Sequence, residues 1–205
     1  MAEQRFKEPL LIYENGNEKK VKTRTWSISD EAVAKEGEGI EYMGELGTHP
    51  VLEIWKHYYH SSKNGTEIFV SNLGYVMEMS KETFEEAFGL KLSEFKEGQG
   101  FFEYRNLTKE QKDLIKKCNF VPATKEESGL QIWLYAEPIG FRYGQIHRMV
   151  AERFLERPAE EAENGWVVHH IDNNSYNNSV TNLIYLKNTE EHGAFSKRIH
   201  RPSYR

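Results

Sequence analysis

The strongest helical pattern in the chain lies between Gln145 and Pro158. Apolar residues recur there at spacings of three and four positions: Ile146, Met149, Val150, Phe154 and Leu155. This period places the apolar side chains on one face of an α-helix, which then packs against a core. Because proline lacks the backbone N–H that a helix needs, Pro158 ends the predicted helix.

Two short apolar runs follow this helix. We predict strands over residues 166–172 and 182–186, separated by the polar loop 173–178. Thr189 is a suitable N-cap for a last helix, and the acidic residues that follow it suit the first turn of a helix. The C-terminal third therefore has the predicted order helix, strand, polar loop, strand, helix.

The earlier part of the chain predicts mainly strands and turns. Alternation predicts a strand over 21–28, whereas the acidic, glycine-bearing segment 31–47 indicates a loop. Residues 67–79 are typical of a β-hairpin that turns at 72–74, and a further strand is predicted over 131–136.

Two shorter helices are predicted from their capping residues. Ser80 can cap the first helix and Gly89 can end it. Thr108 and Gln111 have the spacing of a capping box, which opens a second helix that reaches about Cys118.

The composition is that of a globular protein with a very polar surface. The 205 residues are 38% hydrophobic, and the mean hydropathy is −0.74. No signal peptide and no run of membrane-spanning length is seen. Cys118 is the sole cysteine, which excludes an internal disulfide and a multi-cysteine zinc ribbon. We therefore expect a cytoplasmic protein without a membrane partner.

The charge is unevenly distributed. A net charge of −5 is unfavourable for nucleic-acid binding, because phosphate contacts need Lys and Arg. The acidic excess lies before residue 140, however, since residues 140–205 contain nine basic and eight acidic side chains. A basic tail over 197–205 ends the chain, and a solvated tail without a specific role is its alternative interpretation.

Three histidines are candidates for metal-assisted catalysis. His169 and His170 end a predicted strand, where successive side chains point to opposite faces. One imidazole can therefore bind an ion while its neighbour addresses a substrate, and His192 in the last helix can reach the same ion. Phosphodiester hydrolysis needs a base for the attacking water and an ion that stabilises charge on the phosphate and the leaving oxygen. This set is sufficient for a one-metal nuclease.

The same residues resemble the HNH motif of the ββα-metal nucleases. The matching segments, in order, are Val168-His169-His170-Ile171-Asp172, Asn177-Asn178, Thr181-Asn182-Leu183 and Glu191-His192. The preceding helix, from Ile146 to Phe154, is similar to the helix ahead of this motif in phage and intron-encoded HNH enzymes. The resemblance implies a nuclease encoded by a phage or a mobile element.

Upstream residues resemble the nuclease-associated modular motif (NUMOD) found ahead of HNH domains in homing-type endonucleases. The matching segments are Glu53-Ile54-Trp55-Lys56 and Val70-Ser71-Asn72-Leu73-Gly74-Tyr75-Val76, with residues 57–66 between them. The turn residues Ser71 and Asn72 are candidate DNA contacts. Arg148, Lys197 and Arg198 are further candidates for contacts with the phosphate backbone.

The resemblance assigns roles by position. It implies that His170 is the general base and that His169 and His192 are metal ligands. It also implies that Asn182 tethers the loop that holds the base. Asp172 either orients His170 or braces this loop.

The expected metal site contains two histidines. Some relatives carry a third histidine one helical turn after the last ligand, where this chain has Ser196. We therefore expect water and phosphate to complete the coordination. Two imidazoles without a carboxylate favour Mn²⁺, Ni²⁺, Co²⁺ or Zn²⁺ in affinity. Cellular availability favours Mg²⁺ or Mn²⁺ as the working ion.

Several of these residues also have structural interpretations. Asn177 and Asn178 are typical of a turn. His57 and His60 are interpreted as surface residues, and Arg153 as solvated or in contact with phosphate.

Together the patterns predict an α+β protein. The resemblance implies that a C-terminal ββα-metal (HNH) nuclease domain, residues 131–205, follows a small mixed α/β region with a β-hairpin. It also implies that residues 51–130 form a NUMOD-like DNA-binding region with a helical insert, and residues 1–50 are an extension without a predicted role. The expected activity is nicking or cleavage of double-stranded DNA by a monomer or homodimer. The alternatives are a non-cleaving DNA- or protein-binding module that uses the metal structurally, and an RNA-cleaving enzyme.

Overall fold

The structure, a computed structural model, describes twelve parts of the chain. They are residues 2–28, 40–43, 51–61, 65–89, 91, 101–117, 119–120, 124–126, 129–136, 140–159, 165–172 and 174–187. The chain divides into two compact units, a first unit of Met1–Val51 with Phe154–Arg205 and a second unit of Leu52–Arg153. Within the described parts, small antiparallel sheets and three α-helices confirm the predicted α+β class. The predicted division into three functional regions stays a prediction, because the two units are defined by compactness and not by function.

The first unit begins with a three-stranded antiparallel sheet in the order β1-β2-β3. Its strands are β1 (Ala2–Glu14), β2 (Asn17–Ile28) and β3 (Ile40–Met43). Asn15 and Gly16 connect β1 to β2, and both have positive φ, 51° and 79°. A two-residue Asn-Gly loop of this kind matches the twist of the strands that it joins. The predicted strand 21–28 is confirmed within β2.

One feature of this sheet was not predicted from the sequence, and another differs from the prediction. The register of β1 against β2 shifts between Arg5 and Leu10, where Pro9 cannot donate to the ladder. Residues 31–47 were predicted to form a loop, but β3 lies within them, and the remainder lies outside the described residues.

The second unit contains a five-stranded antiparallel sheet in the order β7-β4-β5-β6-β8. Its strands are β4 (Ile54–Ser61), β5 (Thr66–Ser71), β6 (Val76–Ser80), β7 (Phe101–Glu103) and β8 (Asn119–Phe120). Val70 pairs with Val76 next to the turn, which confirms the predicted hairpin over 67–79. The core of this unit combines strand and helix residues: Trp55, Phe69, Met77, Met79, Phe84 and Ile115.

Both predicted caps are confirmed in the helices of the second unit. Ser80 accepts a hydrogen bond from the Thr83 amide at 3.1 Å and opens α1 (Lys81–Phe88), which ends at Gly89 in the left-handed conformation. Thr108 and Gln111 exchange two hydrogen bonds, of 2.8 and 3.2 Å, at the start of α2 (Lys109–Lys117). Cys118, the predicted end of this helix, lies outside the described residues.

A three-stranded sheet and a helix complete the second unit up to Arg153. The strands are β9 (Thr124–Glu126), β10 (Gly129–Ala136) and β11 (Gly140–Gln145), in the order β11-β10-β9. The predicted strand 131–136 is confirmed within β10. The predicted helix is confirmed as α3 (Ile146–Phe154), and all of its predicted apolar residues are buried. It ends before Pro158, since Leu155 already forms a β-bridge with Phe6.

The first unit resumes with a two-stranded antiparallel hairpin, β12 (Trp166–His170) and β13 (Leu183–Lys187). The connecting residues 171–182 include a 3₁₀ turn, Val180–Asn182. Both predicted strands are confirmed, with ends shifted by one or two residues. The helix predicted to begin after Thr189 lies outside the described residues.

Across the described ranges, none of the helices is both long enough and apolar enough to cross a membrane.

Candidate functional site

The two predicted site histidines lie at the loop end of the β12–β13 hairpin, next to residues 171–182. His169 pairs with Ile184 and His170 with Leu183, and both imidazoles are buried. Because neighbouring strand residues face opposite sides, the two imidazoles leave β12 in opposite directions. The strand thus separates the predicted base from the predicted ligand.

Asn182 holds the connecting loop together. Its Nδ2 donates to Oδ1 of Asp172 at 2.7 Å and to the carbonyl oxygen of Asn177 at 2.8 Å. Its Oδ1 accepts the amide of Asp172 at 3.0 Å. The backbone carbonyl of Asn182 accepts the amide of Ile171 at 2.8 Å, which extends the hairpin ladder by one pair. The buried Asn182 side chain therefore uses both of its donor hydrogens and its acceptor within the loop.

Asp172 braces this loop. Besides Asn182, its carboxylate accepts the Asn174 amide at 2.8 Å and Nδ2 of Asn177 at 2.7 Å. Burial alone would raise the pKa of Asp172, but these hydrogen bonds and the nearby His170 outweigh it and lower the pKa below its ordinary value. Of the two roles predicted for Asp172, these hydrogen bonds match the bracing of the loop. Asp172 acts on His170 through its negative charge, which raises the pKa of the imidazole.

His170 is held by Asn178, a residue of the motif for which the sequence predicted mainly a role in a turn. Nε2 of His170 lies 2.9 Å from Oδ1 of the buried Asn178. An amide oxygen only accepts hydrogen bonds, so Nε2 carries the proton and the lone pair of the neutral ring lies on Nδ1. Burial lowers the pKa of His170, while the bond to Asn178 and the charge of Asp172 act in the opposite direction. A neutral imidazole with a lone pair at neutral pH is the form that a general base requires.

The predicted metal site is only partly described. His169 supplies an imidazole, a ligand type that divalent transition ions accept. His192, the second predicted ligand, lies outside the described residues. Within the described ranges, no group of three or more His, Cys, Asp or Glu side chains is arranged to hold a metal ion. The metal assignment therefore stays a prediction based on the motif.

The candidate DNA contacts in the β5–β6 turn serve the turn itself. Asn72 is 0% exposed, and its side chain binds the Ile54 amide at 2.9 Å and the Leu52 carbonyl at 2.8 Å. Ser71 is also 0% exposed, and its Oγ accepts the amides of two following turn residues at 3.2 Å each. The side chain that this turn exposes is Tyr75, at 55%. DNA contact by Ser71 and Asn72 stays a prediction. The hydrogen bonds of these two buried side chains already give both residues a structural role in the turn.

The basic candidates are described in part. Arg148 is exposed on α3, as a contact with phosphate requires. Lys197 and Arg198 lie outside the described residues. Arg153, interpreted from the sequence as solvated or phosphate-binding, donates to the carbonyl oxygens of His57 and Tyr58 at 3.2 and 2.7 Å and stacks over the Tyr58 ring. These three contacts give Arg153 a structural role.

A second cluster of ionisable groups lies in the second unit. Glu67 is 0% exposed, and its two carboxylate oxygens lie 2.6 Å from Nε2 of His57 and 2.5 Å from Nδ1 of His60. A register shift between His57 and Tyr59 lets both imidazoles reach the same carboxylate from one strand. The surface interpretation of His57 is therefore wrong, because the ring is buried against Glu67. The His60 side chain is 54% exposed.

Three polar residues that support the site were not singled out from the sequence for this role. Asn178 contacts His170, and Gln4 and Arg24 reach the β12–β13 hairpin from the N-terminal sheet. Spacing along the chain gives no signal for such contacts, because they depend on how distant segments pack. The Asn15-Gly16 dipeptide was the one available signal, since it predicts the hairpin that carries Gln4 and Arg24.

Comparisons of the chain with protein-family models, with curated proteins and with solved structures found no match.

Proposed function

We propose that this protein is a metal-dependent DNA endonuclease or nickase of the HNH type. His170 is the general base, and a divalent ion is held by His169 and His192. The observation that carries the proposal is the fixed orientation of His170, whose Nε2 donates to Asn178 while Asn182 ties down the loop around it.

This orientation determines which atom performs the chemistry. Nδ1 of His170 takes a proton from a water molecule as that water attacks phosphorus. The P–O3′ bond then breaks, which leaves a 5′-phosphate and, after protonation, a 3′-hydroxyl. The ring becomes an imidazolium that keeps its Nε2 bond to Asn178 and gains attraction to the Asp172 carboxylate. The loop therefore stabilises the charged form that the base acquires during the reaction.

A divalent ion bound by His169 and His192 would act as a Lewis acid on the phosphate and the leaving 3′-oxygen. The exposed Arg148 is a suitable phosphate contact, and the basic tail supplies two more candidates, Lys197 and Arg198. Double-stranded DNA is the proposed substrate. One such site cuts one strand, so a monomer would nick the duplex and a homodimer would cut both strands.

A plasmid assay tests the proposal. Supercoiled DNA is incubated with wild type, His170→Ala and Tyr176→Phe, each with Mg²⁺, Mn²⁺, Ni²⁺ or Zn²⁺ and again with EDTA. Tyr176→Phe is the matched control, because it keeps an exposed ring on the same loop. We expect nicked or linear product only from wild type and Tyr176→Phe with metal, and a loss on the order of a hundredfold or more in His170→Ala.

Equal cleavage by a folded His170→Ala protein would exclude His170 as the base. If wild type binds DNA but gives no product from plasmid or genomic-library DNA with any of these ions, the protein is instead a non-cleaving binding module. RNA substrates assayed in parallel show whether the cleavage is specific to DNA.

A further inference from the structure

Two buried polar side chains lie opposite each other on the N-terminal hairpin. Gln4 of β1 pairs in register with Arg24 of β2, and they are 3% and 5% exposed. Side chains of cross-strand partners project from the same face of the sheet. Removing an amide and a guanidinium from water is costly unless both find partners, so the partners of these two groups indicate what this face does.

Gln4 binds β13, the strand that follows the connecting loop 171–182. Its Oε1 accepts the Tyr185 amide at 3.0 Å, and its Nε2 donates to the Glu156 carbonyl at 2.7 Å. Tyr185 lies opposite Val168 in the β12–β13 ladder, and its amide hydrogen is used by Gln4. The side chain of Gln4 therefore fixes β13 along its outer edge.

Arg24 binds the turn that carries Asn182. Its Nη2 donates to the carbonyl oxygen of Thr181, which belongs to the same peptide group as the amide nitrogen of Asn182. The Asn182 side chain donates to the Asn177 carbonyl at 2.8 Å, and the next residue, Asn178, contacts His170 at 2.9 Å. A continuous series of hydrogen bonds and peptide groups thus joins the guanidinium to the imidazole.

We infer that Arg24 is a positioning residue for His170, which it orients through Thr181, Asn182 and Asn178, with Gln4 fixing the adjacent strand. This inference rests on the proposed nuclease function. It gives the N-terminal sheet an indirect role in catalysis, through hydrogen bonds to the segments that carry and surround His170.

The test compares Arg24→Met, Arg24→Lys and Gln4→Met with wild type. Lys22→Met is the matched control, because it removes an exposed cation from the same strand. We expect kcat of Arg24→Met for plasmid nicking to fall about tenfold to a hundredfold, with KM within about twofold of wild type. Arg24→Lys should recover part of the loss, because an ammonium still donates to a carbonyl.

Amide hydrogen exchange supplies a readout that does not need nuclease activity. We expect exchange in Arg24→Met to accelerate at Ile171 and Asn182, whose amides are bonded within the loop, and to stay unchanged at Leu186 in the ladder. A loss of stability in the whole unit would accelerate all three amides equally. The Nε2 proton of His170 should also exchange faster with water in Arg24→Met than in Lys22→Met.

The outcomes separate the two proposals. A folded Arg24→Met protein with unchanged kcat and unchanged exchange would overturn the inference. If wild type does not cut DNA but Arg24→Met shows the local increase in exchange, the nuclease proposal fails while the positioning of His170 by Arg24 stands. If Arg24→Met does not fold, kcat and amide exchange are measured on Arg24→Lys and Gln4→Met instead. Unchanged exchange at Ile171 and Asn182 in both variants would then overturn the inference.

Discussion

Asn182 and Asp172 are joined by two hydrogen bonds that run in opposite directions. Nδ2 of Asn182 donates to the Asp172 carboxylate at 2.7 Å, and the Asp172 amide donates back to Oδ1 of Asn182 at 3.0 Å. Because Nδ2 of Asn182 also holds the Asn177 carbonyl, one buried amide fixes both ends of the loop beside His170. An asparagine suits this position because only a primary amide supplies two donors and an acceptor in so small a side chain.

Replacing Asn182 by alanine should be costly. The change leaves the Asp172 amide and the Asn177 carbonyl without their side-chain partner, and both hydrogen bonds are partly buried. An unpaired group costs roughly 1–3 kcal/mol when it is fully buried, and these two losses add to the lost bond to the Asp172 carboxylate. We expect the free energy of unfolding in urea to fall by at least about 2 kcal/mol. Asn174→Ala, a change at an exposed loop residue, should cost less than about 1 kcal/mol. Equal losses in the two variants would contradict a special role for Asn182.

The Asp172 carboxylate should make the stability depend on acidity. Its pKa is lowered in the folded protein, so its stabilising contribution is complete above the unfolded value of about 3.9 and is lost as the pH falls through the folded value. The difference in unfolding free energy between wild type and Asp172→Asn should therefore be largest near pH 6 and should narrow below about pH 4. Urea unfolding of both proteins at several pH values measures this difference in free energy. A difference that stays constant down to pH 2 would show that the carboxylate charge is not responsible.

Glu67 should be among the most sensitive positions of the second unit. Glu67→Ala removes the partner of two imidazoles from a fully buried site, and we expect a loss of about 3–5 kcal/mol. Glu67→Gln keeps the volume but has a single acceptor oxygen, so an intermediate loss of about 1–3 kcal/mol is expected. Glu86→Ala, on the exposed face of α1, is the control and should stay within about 0.5 kcal/mol of wild type. If Glu67→Ala lost no more stability than Glu86→Ala, the cluster of Glu67, His57 and His60 would contribute nothing to the stability of the fold.

Gly89 ends α1 in a conformation that disfavours a side chain. Its φ is 64°, and a Cβ built there meets no atom within 4 Å, so any cost of substitution comes from the backbone alone. Gly89→Ala should lower the stability by about 1–2 kcal/mol, and Gly89→Asn should cost less, because asparagine tolerates the left-handed region. Thermal unfolding of the two variants checks this order. A larger loss in the asparagine variant would show that an effect other than φ dominates.

Local sequence signals predicted the elements whose formation depends on neighbouring residues. The apolar period of α3, the Ser80 cap and the Thr108–Gln111 capping box are interactions within a few residues of the chain, and all three occur in the structure. The strands that contain His170 and Leu183 were also predicted, because apolar runs with polar boundaries are local patterns. The positions of the two site histidines on a hairpin followed directly from these strands.

Contacts between distant segments could not be predicted in the same way. His57 was interpreted as a surface residue because no local signal shows that Glu67 is buried on the neighbouring strand. Similarly, the bond between Gln4 and Tyr185 joins residues that are 181 positions apart. Such pairs are set by the packing of the whole unit, and a single sequence carries no period or motif for them.

The discontinuity of the first unit has a consequence for protein synthesis. Its N-terminal sheet leaves the ribosome before the second unit does, but the hairpin that it braces lies beyond residue 154. The second unit is continuous in sequence and is complete before that hairpin is translated. A nascent chain therefore acquires the arrangement around His170 only after β13 has been translated, when Gln4 and Arg24 meet their partners. An incomplete polypeptide that stops before β13 cannot assemble this site, so truncated products would lack the proposed nuclease activity.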